Sequence, residues 1–138
     1  MEIVRPTLET QKAPPEWFTG DVYLDQVAAP PAPARLRCYS VHFTPGARTA
    51  WHTHPFGQTL FVLEGVGVAQ RRGAPAELIR PGDRVHFAPD EEHWHGAAPN
   101  RFMTHLAMHE HDEEGNDAHW GDQVSDEEYS AAPSIDSP

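Results

Sequence analysis

The chain has 138 residues, a formal net charge of −11 and a hydrophobic content of 38%. This length indicates one domain, and the negative charge disfavours nucleic acid and anionic membrane surfaces as partners. No apolar run approaches the ~20 residues that span a bilayer, and the N-terminus lacks the basic start and apolar stretch of a signal peptide, so we expect a cytoplasmic protein.

Residues 1–34 are predicted to form an N-terminal arm and a wrapping strand. An extended segment at Trp17–Leu24 precedes the proline-dense run Ala28–Pro33. Proline fixes the backbone and lacks the N–H donor that helices and central strands need. The run is therefore predicted to be a linker on the outside of the domain.

Residues 35–111 are predicted to form the domain core. Short runs of β-branched and aromatic residues alternate with turns rich in glycine and proline, a pattern typical of an antiparallel sandwich or barrel. We therefore predict an all-β fold. The predicted strands are Arg37–Phe43, Ala50–His54, Thr59–Leu63, Val66–Arg71, Glu77–Ile79, Val85–Phe87, His93–His95 and Phe102–Glu110.

Residues 112–138 form an acidic tail. Ser125 and Glu128 have the spacing of a capping box, which predicts one short helix near Ser125–Tyr129. Trp120, Val124 and Tyr129 are candidates to attach this helix to the barrel or to a neighbouring subunit. The last residues, Ser130–Pro138, are predicted to be disordered.

Histidine is the unusual residue of this chain, because nine of the ten lie between His42 and His111. Residues i and i+2 of a strand share a face, so His52 and His54 can bind one ion. Gln58 can return an amide oxygen to that ion after the turn, and His93 can complete the site from a facing strand. The only cysteine is Cys38, which excludes a cysteine metal cluster.

Three further histidines are candidates for proton transfer. His95 shares a face with His93, and His105 and His109 share a face of the strand Phe102–Glu110. A nearby dication keeps such imidazoles neutral and able to accept a proton near pH 7. The alternative is that they are hydrogen-bonded core groups. Phe56, Leu60 and Trp94 are interpreted as core or pocket wall.

The frame around these residues resembles the two cupin motifs, which implies a double-stranded β-helix, or jelly-roll, barrel. Two departures stand out: Gln58 replaces the usual glutamate ligand, and Pro89-Asp90-Glu91 lacks the usual glycine. The matches to the first motif are Gly46, His52, His54, Gln58 and Gly65, and those to the second, with looser spacing, are Gly82, Pro89, His93 and Asn100.

A narrower resemblance, from Trp17 to Tyr129, is to the small bacterial manganese cupins with hydroxynitrile lyase activity. It rests on WFTG, GARTAWHTHP-x-GQTL, HWHGAAP and MTHLA. It implies cleavage of an (R)-cyanohydrin such as mandelonitrile, a small-molecule substrate. The implied metal ligands are His52, His54, Gln58 and His93, and the implied pocket histidines are His95 and His105. Tyr39, Val41 and His109 would shape the aldehyde pocket, and cupins commonly form homodimers or homotetramers.

The metal and the reaction have alternatives at this stage. Three imidazoles and an amide oxygen suit Mn, Fe, Co or Ni, and the resemblance favours Mn(II), then Fe(II), with Zn, Ni or Co as ions that purification could introduce. The same site loaded with Fe could serve a dioxygenase acting on a small oxygenated substrate. A non-catalytic barrel that binds a small molecule is the third alternative.

Overall fold

The computed structural model describes residues 1–5 and 9–135. These described residues form thirteen strands and one helix. The strands are β1 Gln11–Lys12, β2 Phe18–Thr19, β3 Val22–Ala28, β4 Leu36–Phe43, β5 Arg48–Thr49, β6 His52–Thr53, β7 Gln58–Gly65, β8 Gly67–Arg71, β9 Glu77–Ile79, β10 Arg84–Phe87, β11 His93–Ala97, β12 Met103–Glu110 and β13 His119–Trp120, and the helix α1 is Asp126–Ser130.

The strands form two antiparallel sheets. The six-stranded sheet has the order β1-β3-β4-β12-β7-β10, and the seven-stranded sheet has the order β13-β6-β11-β5-β2, with β8 pairing both β11 and β9. Buried side chains from both sheets, such as Phe43, Leu60 and Ile79, share one core cluster. The predicted all-β barrel with a short C-terminal helix is confirmed.

Two predicted strands differ from the strands of the structure. Ala50–His54 is shortened to β6 and is separated from β5, which ends at Thr49, because the Ala50 N–H donates to Trp17 O and the Trp51 N–H donates to Asp122 O. The chain between the two strands therefore joins the N-terminal arm to the C-terminal tail. The segment Trp17–Leu24 separates into β2 and the start of β3, which continues to Ala28 at the edge of the proline-dense run.

The capping box is present at the start of α1. Ser125 Oγ accepts a hydrogen bond from the Glu128 N–H, and Glu128 Oε1 accepts one from the Ser125 N–H. Val124 and Tyr129 attach this helix to the seven-stranded sheet, whereas Trp120 does not join them in that cluster. Ser130 is the last helical residue, so the predicted disorder does not begin there, and residues 136–138 lie outside the described residues.

Strand β11 has two faces with different roles. His93 and His95 point to one side and Trp94 to the other, where Trp94 packs with Trp51 and Tyr129 under α1. This alternation separates a histidine-rich interior from an apolar layer outside the sheet. Across residues 1–5 and 9–135, no helix has the length and apolar character needed to cross a membrane.

Candidate functional site

Three histidines converge where β6 meets β11. His52 and His93 are directly opposed in the antiparallel register, with ring centroids 4.2 Å apart. The His54 ring lies 5.0 Å from that of His52 and 5.5 Å from that of His93. All three side chains are buried. The sheet register therefore brings together the two motifs that the sequence places 41 residues apart.

The outer nitrogens of these three rings make the same kind of contact. Each Nδ1 meets a backbone oxygen, which can only accept a hydrogen bond, so each Nδ1 carries the ring proton and donates it. Each Nε2 is then left with a lone pair, the state in which imidazole binds a metal. The three contacts join His52 to Ala50 O (2.9 Å), His54 to Asp117 O (2.6 Å) and His93 to Glu91 O (2.7 Å).

Gln58 reaches the same point from the turn after β6. Gly57 has φ +80°, and a Cβ there would lie 2.5 Å from Phe87 O, so the turn requires glycine. Gln58 Oε1 lies 3.3 Å from His93 Nε2. Because that nitrogen carries no proton, two lone pairs face each other at this distance. Such a pair is favourable when a cation lies between them, so the donor set fits a divalent metal.

The turn that lacks the usual glycine of the second motif is formed around Asp90. Asp90 adopts φ 60°, a left-handed conformation that aspartate tolerates better than most residues. Its N–H donates to His54 O at 3.0 Å. The turn thus keeps the geometry that glycine would provide, and it holds the backbone of a predicted ligand.

His95 is the fourth histidine of this cluster. Ligand nitrogens of His52, His93 and His95 lie within 4.8 Å of one another, close enough to hold a metal. Distance alone therefore selects His95 rather than His54. The hydrogen bonds favour His54 instead, because its Nδ1 is held by a carbonyl, whereas His95 Nδ1 lies 3.0 Å from His105 Nε2. The set of His52, His54, Gln58 and His93 stays a prediction that these contacts support.

Burial keeps the clustered histidines uncharged. Desolvation lowers the pKa of His54 to about 4, of His93 to about 3 and of His105 to about 4. Desolvation, with repulsion from neighbouring rings, also lowers the pKa of His52 and His95 well below the ordinary value. Among the described residues, His54 Nε2 and His95 Nε2 are buried without a hydrogen-bond partner. These lone pairs are available to a metal or to a substrate proton.

A cavity of about 210 Å³ opens onto this cluster. Its polar end contains His52, His54, Gln58, His95 and His109, and its other walls are largely apolar. The apolar and weakly polar wall residues are Pro14, Trp17, Phe18, Leu24, Tyr39, Val41, Thr49, Ala107, Ala118 and Trp120, with Asp117 at the side. A small molecule with one polar end fits this arrangement.

The comparisons with known proteins agree with this fold. Residues 39–109 match the model of the family described as the cupin domain. The chain belongs to this family. It is 52% identical over 130 residues to the (R)-mandelonitrile lyase of Granulicella tundricola, covering 94% of this chain and 98% of that protein.

Solved structures show the same architecture. A cupin-like protein from Thermotoga maritima is 37% identical, with a TM-score of 0.83 over 93% of this chain and 98% of its own. The polyketide cyclase of Streptomyces resistomycificus has a TM-score of 0.71 at 15% identity, over 94% of this chain and 90% of its own. The latter likeness concerns the fold alone.

The cupin cavity contains some of the predicted pocket residues and not others. Tyr39, Val41, His95 and His109 line it. His105 is fully buried and lies behind His95, which it contacts through the ring nitrogens. Its contact with substrate is therefore indirect.

Three residues interpreted as core or pocket wall lie away from this cavity. Leu60 is fully buried in the main core, and Trp94 packs under α1 on the opposite face of β11. Phe56 is 50% exposed, because the turn after His54 directs it to solvent. Of the two alternatives, core or pocket wall, Leu60 and Trp94 take the core one, whereas Phe56 is a surface residue and its interpretation is corrected.

Sequence reasoning missed the residues that close the cavity from the two chain ends. Trp17 and Trp120 stack in parallel, with centroids 5.1 Å apart, and Phe18 packs against Trp120 at 5.6 Å. Asp117 holds His54 through its backbone and His109 through its carboxylate. The only sequence signal for this contact is a tryptophan in each of the two terminal segments. Nothing in the sequence indicates that Trp17 and Trp120 stack on each other.

Proposed function

We propose that this cupin is a metal-dependent hydroxynitrile lyase. It cleaves (R)-cyanohydrins such as mandelonitrile to an aldehyde and HCN, and it catalyses the reverse addition. The observation that carries the proposal is the position of the neutral His95 ring, which lines the cavity beside the predicted metal ligands. The near full-length similarity to a curated (R)-mandelonitrile lyase supports the same reaction.

The predicted ligands His52, His54, Gln58 and His93 carry no charge. A divalent ion held by them keeps its full +2 charge, and it supplies Lewis-acid stabilisation for negative charge that develops on the substrate. We propose Mn(II) as this ion, and Fe(II) as the second candidate, because mixed nitrogen and oxygen ligation suits both.

His95 is the proposed base. When its Nδ1 donates to His105 Nε2, its own Nε2 carries the lone pair and can accept the hydroxyl proton of the substrate. The two nitrogens lie 3.0 Å apart in the fully buried pair. In this tautomer His105 accepts the hydrogen bond from His95 and disperses the charge that His95 gains.

The cleavage needs no proton or electron from outside the cavity. The hydroxyl proton moves to His95 as the carbonyl double bond forms, and the carbon–carbon electron pair leaves with cyanide. His95 then returns the proton to cyanide, which releases HCN. Val41, Ala107 and Trp120 line the apolar part of the cavity, where the aldehyde substituent is held away from water.

Anaerobic assays of HCN release from racemic mandelonitrile test this proposal. The Mn-loaded protein should release HCN and leave the (S)-enantiomer behind. His95→Ala should lower kcat by about 10²–10⁴-fold, the usual contribution of a positioned base. His86→Ala is the matched control, because His86 is an exposed histidine of β10 outside this cavity, and it should retain the wild-type rate.

Other outcomes would replace the proposal. Oxygen uptake by the Fe-loaded protein with no cyanide release would indicate a cupin dioxygenase. Ligand binding that survives metal removal, without turnover, would indicate a binding protein.

We also propose a cytoplasmic location, no nucleic-acid or membrane partner, and assembly as a homodimer or homotetramer. Light scattering during size-exclusion chromatography measures the oligomeric state, and cell fractionation measures the location.

A further inference from the structure

Asp117 contacts the polar end of the cavity twice. It precedes β13 in the acidic tail, and its backbone oxygen accepts the His54 Nδ1 hydrogen bond at 2.6 Å. Its carboxylate oxygen Oδ2 lies 3.2 Å from His109 Nε2. One residue outside the barrel strands thus contacts a predicted metal ligand and a pocket histidine.

The contacts of His109 define the direction of a hydrogen-bond chain. A carboxylate only accepts hydrogen bonds, so His109 Nε2 carries the ring proton and donates it to Asp117. His109 Nδ1 then has a lone pair, and Gln58 Nε2, 3.4 Å away, donates to it. Gln58 and His109 are directly opposed on β7 and β12, which keeps this contact in place.

This hydrogen-bond chain determines which atom of the Gln58 side chain faces the metal position. With its NH2 group directed to His109, Gln58 turns Oε1 towards His93 Nε2. The opposite amide orientation would present two N–H donors to a site built from lone pairs, and it would repel a cation. The orientation of the amide is therefore decided by the tautomer of His109.

We propose that Asp117 is a positioning residue that sets the metal affinity of the site through the chain Asp117–His109–Gln58. The inference rests on the predicted ligand role of Gln58, and it assigns Asp117 no contact with substrate. It makes the acidic tail part of the metal site.

The Asp117 carboxylate can only accept hydrogen bonds, so the hydrogen-bond chain has a single direction. The adjacent His54 ring, whose centroid lies 4.6 Å from that of His109, is held by the backbone of Asp117 rather than by its carboxylate. Side-chain substitutions at Asp117 therefore remove the hydrogen bond to His109 and leave the backbone contact to His54 in place.

Metal affinity is the first measurement. The dissociation constant for Mn²⁺, obtained by competition with a fluorescent chelator, should rise about 10-fold in Asp117→Ala, as expected when a group that orients a ligand is lost. Glu114→Gln is the matched control, because it removes one exposed carboxylate from the same tail, and its affinity should equal that of the wild type. Equal affinities in all three proteins would overturn the proposal.

A double-mutant cycle separates hydrogen bonding from simple charge attraction. If Asp117 acts through His109, Asp117→Ala should have no further effect on Mn²⁺ affinity in the His109→Ala background. An undiminished 10-fold effect in that background would show that the charge of Asp117 acts directly on the ion, which would overturn the chain. Asp117→Asn replaces Asp117→Ala in the same cycle if the alanine variant does not fold.

¹⁵N NMR of the histidine rings in the metal-free protein gives an independent measurement. His109 should be the Nε2–H tautomer in the wild type and should lose that preference in Asp117→Ala. An Nδ1–H tautomer in the wild type would overturn the proposal. Failure of the proposed lyase would appear instead as absent HCN release, with the Mn²⁺ affinity and the tautomer both unchanged.

Discussion

Trp120 stacks on His52, with ring centroids 4.5 Å apart and the planes inclined by 27°. β13 supplies this contact by pairing with β6, where Trp120 is opposite His52. Trp17 stacks on Trp120 at 5.1 Å. The two ends of the chain thus support one predicted metal ligand and form one wall of the cavity.

Replacing Trp120 with alanine should weaken both metal and substrate binding. The His52 ring loses its stacking partner and the cavity opens to water, so we expect KM for mandelonitrile and the Mn²⁺ dissociation constant to rise by about 10-fold each. Trp120→Phe keeps a ring against His52 and should remain within about 3-fold of the wild type. An unchanged KM in Trp120→Ala would contradict the conclusion that Trp120 forms part of the wall of the substrate cavity.

Gln58→Glu tests the value of a neutral ligand set. The carboxylate attracts the dication more strongly, so the Mn²⁺ dissociation constant should fall. The net charge of the loaded site falls from +2 to +1, and kcat should therefore drop by about 10-fold or more because less charge stabilises the transition state. Gln58→Ala is the control, because it should weaken Mn²⁺ binding and activity together. A rise in kcat for Gln58→Glu would show that charge is not limiting.

Stability of the metal-free protein should depend on pH through the buried histidines. Desolvation lowers the pKa of His105 to about 4 from its ordinary value of 6.5, so between these values the unfolded chain binds a proton that the folded protein does not. Stability is therefore complete above pH 6.5 and is lost as the pH falls towards 4, by about 3 kcal/mol for this group. His54 and His93 contribute with the same sign.

Urea unfolding of the metal-free protein between pH 7.5 and 4.5 measures this dependence. His105→Gln should have a shallower decline than the wild type, whereas His86→Gln, at an exposed position, should follow the wild type. Parallel curves for His105→Gln and the wild type would contradict the assignment.

Arg48 anchors the C-terminal helix from inside the seven-stranded sheet. Its side chain is 6% exposed, donates twice to Val124 O and lies 4.4 Å over the Tyr129 ring. Arg48→Met leaves the buried Val124 oxygen without these donors, so we expect a loss of about 2–3 kcal/mol in the free energy of unfolding.

Asp126→Asn is the control for Arg48. Asp126 also accepts a hydrogen bond from Arg48, at 2.8 Å, but its side chain is 98% exposed. Its loss should therefore change the free energy of unfolding little. Chemical denaturation of both variants measures the free energy of unfolding. Equal losses in Arg48→Met and Asp126→Asn would contradict the conclusion that the buried contacts of Arg48 stabilise the protein more than its exposed ion pair.

Local patterns predicted most of the barrel. Glu77–Ile79 agrees at both ends with β9, and Phe102–Glu110 agrees with β12 to within one residue. The alternation of buried histidines along β12 was also predictable, because side-chain direction in a strand depends only on residue spacing. The shortening of Ala50–His54 to β6 was not, because its cause is hydrogen bonding of Ala50 and Trp51 to segments distant in sequence.

The sequence by itself determined the composition of the site: two His-x-His elements, a following glutamine and a chain too acidic for nucleic acid. Only the tertiary structure decided which groups support that site. His54 and Asp117 are 63 residues apart, and neither the charge nor the spacing of the tail indicates that it folds back over the cavity. Ligand spacing is a local property of strands and turns, whereas the orientation of each ligand depends on hydrogen bonds and stacking that form only when distant segments pack together.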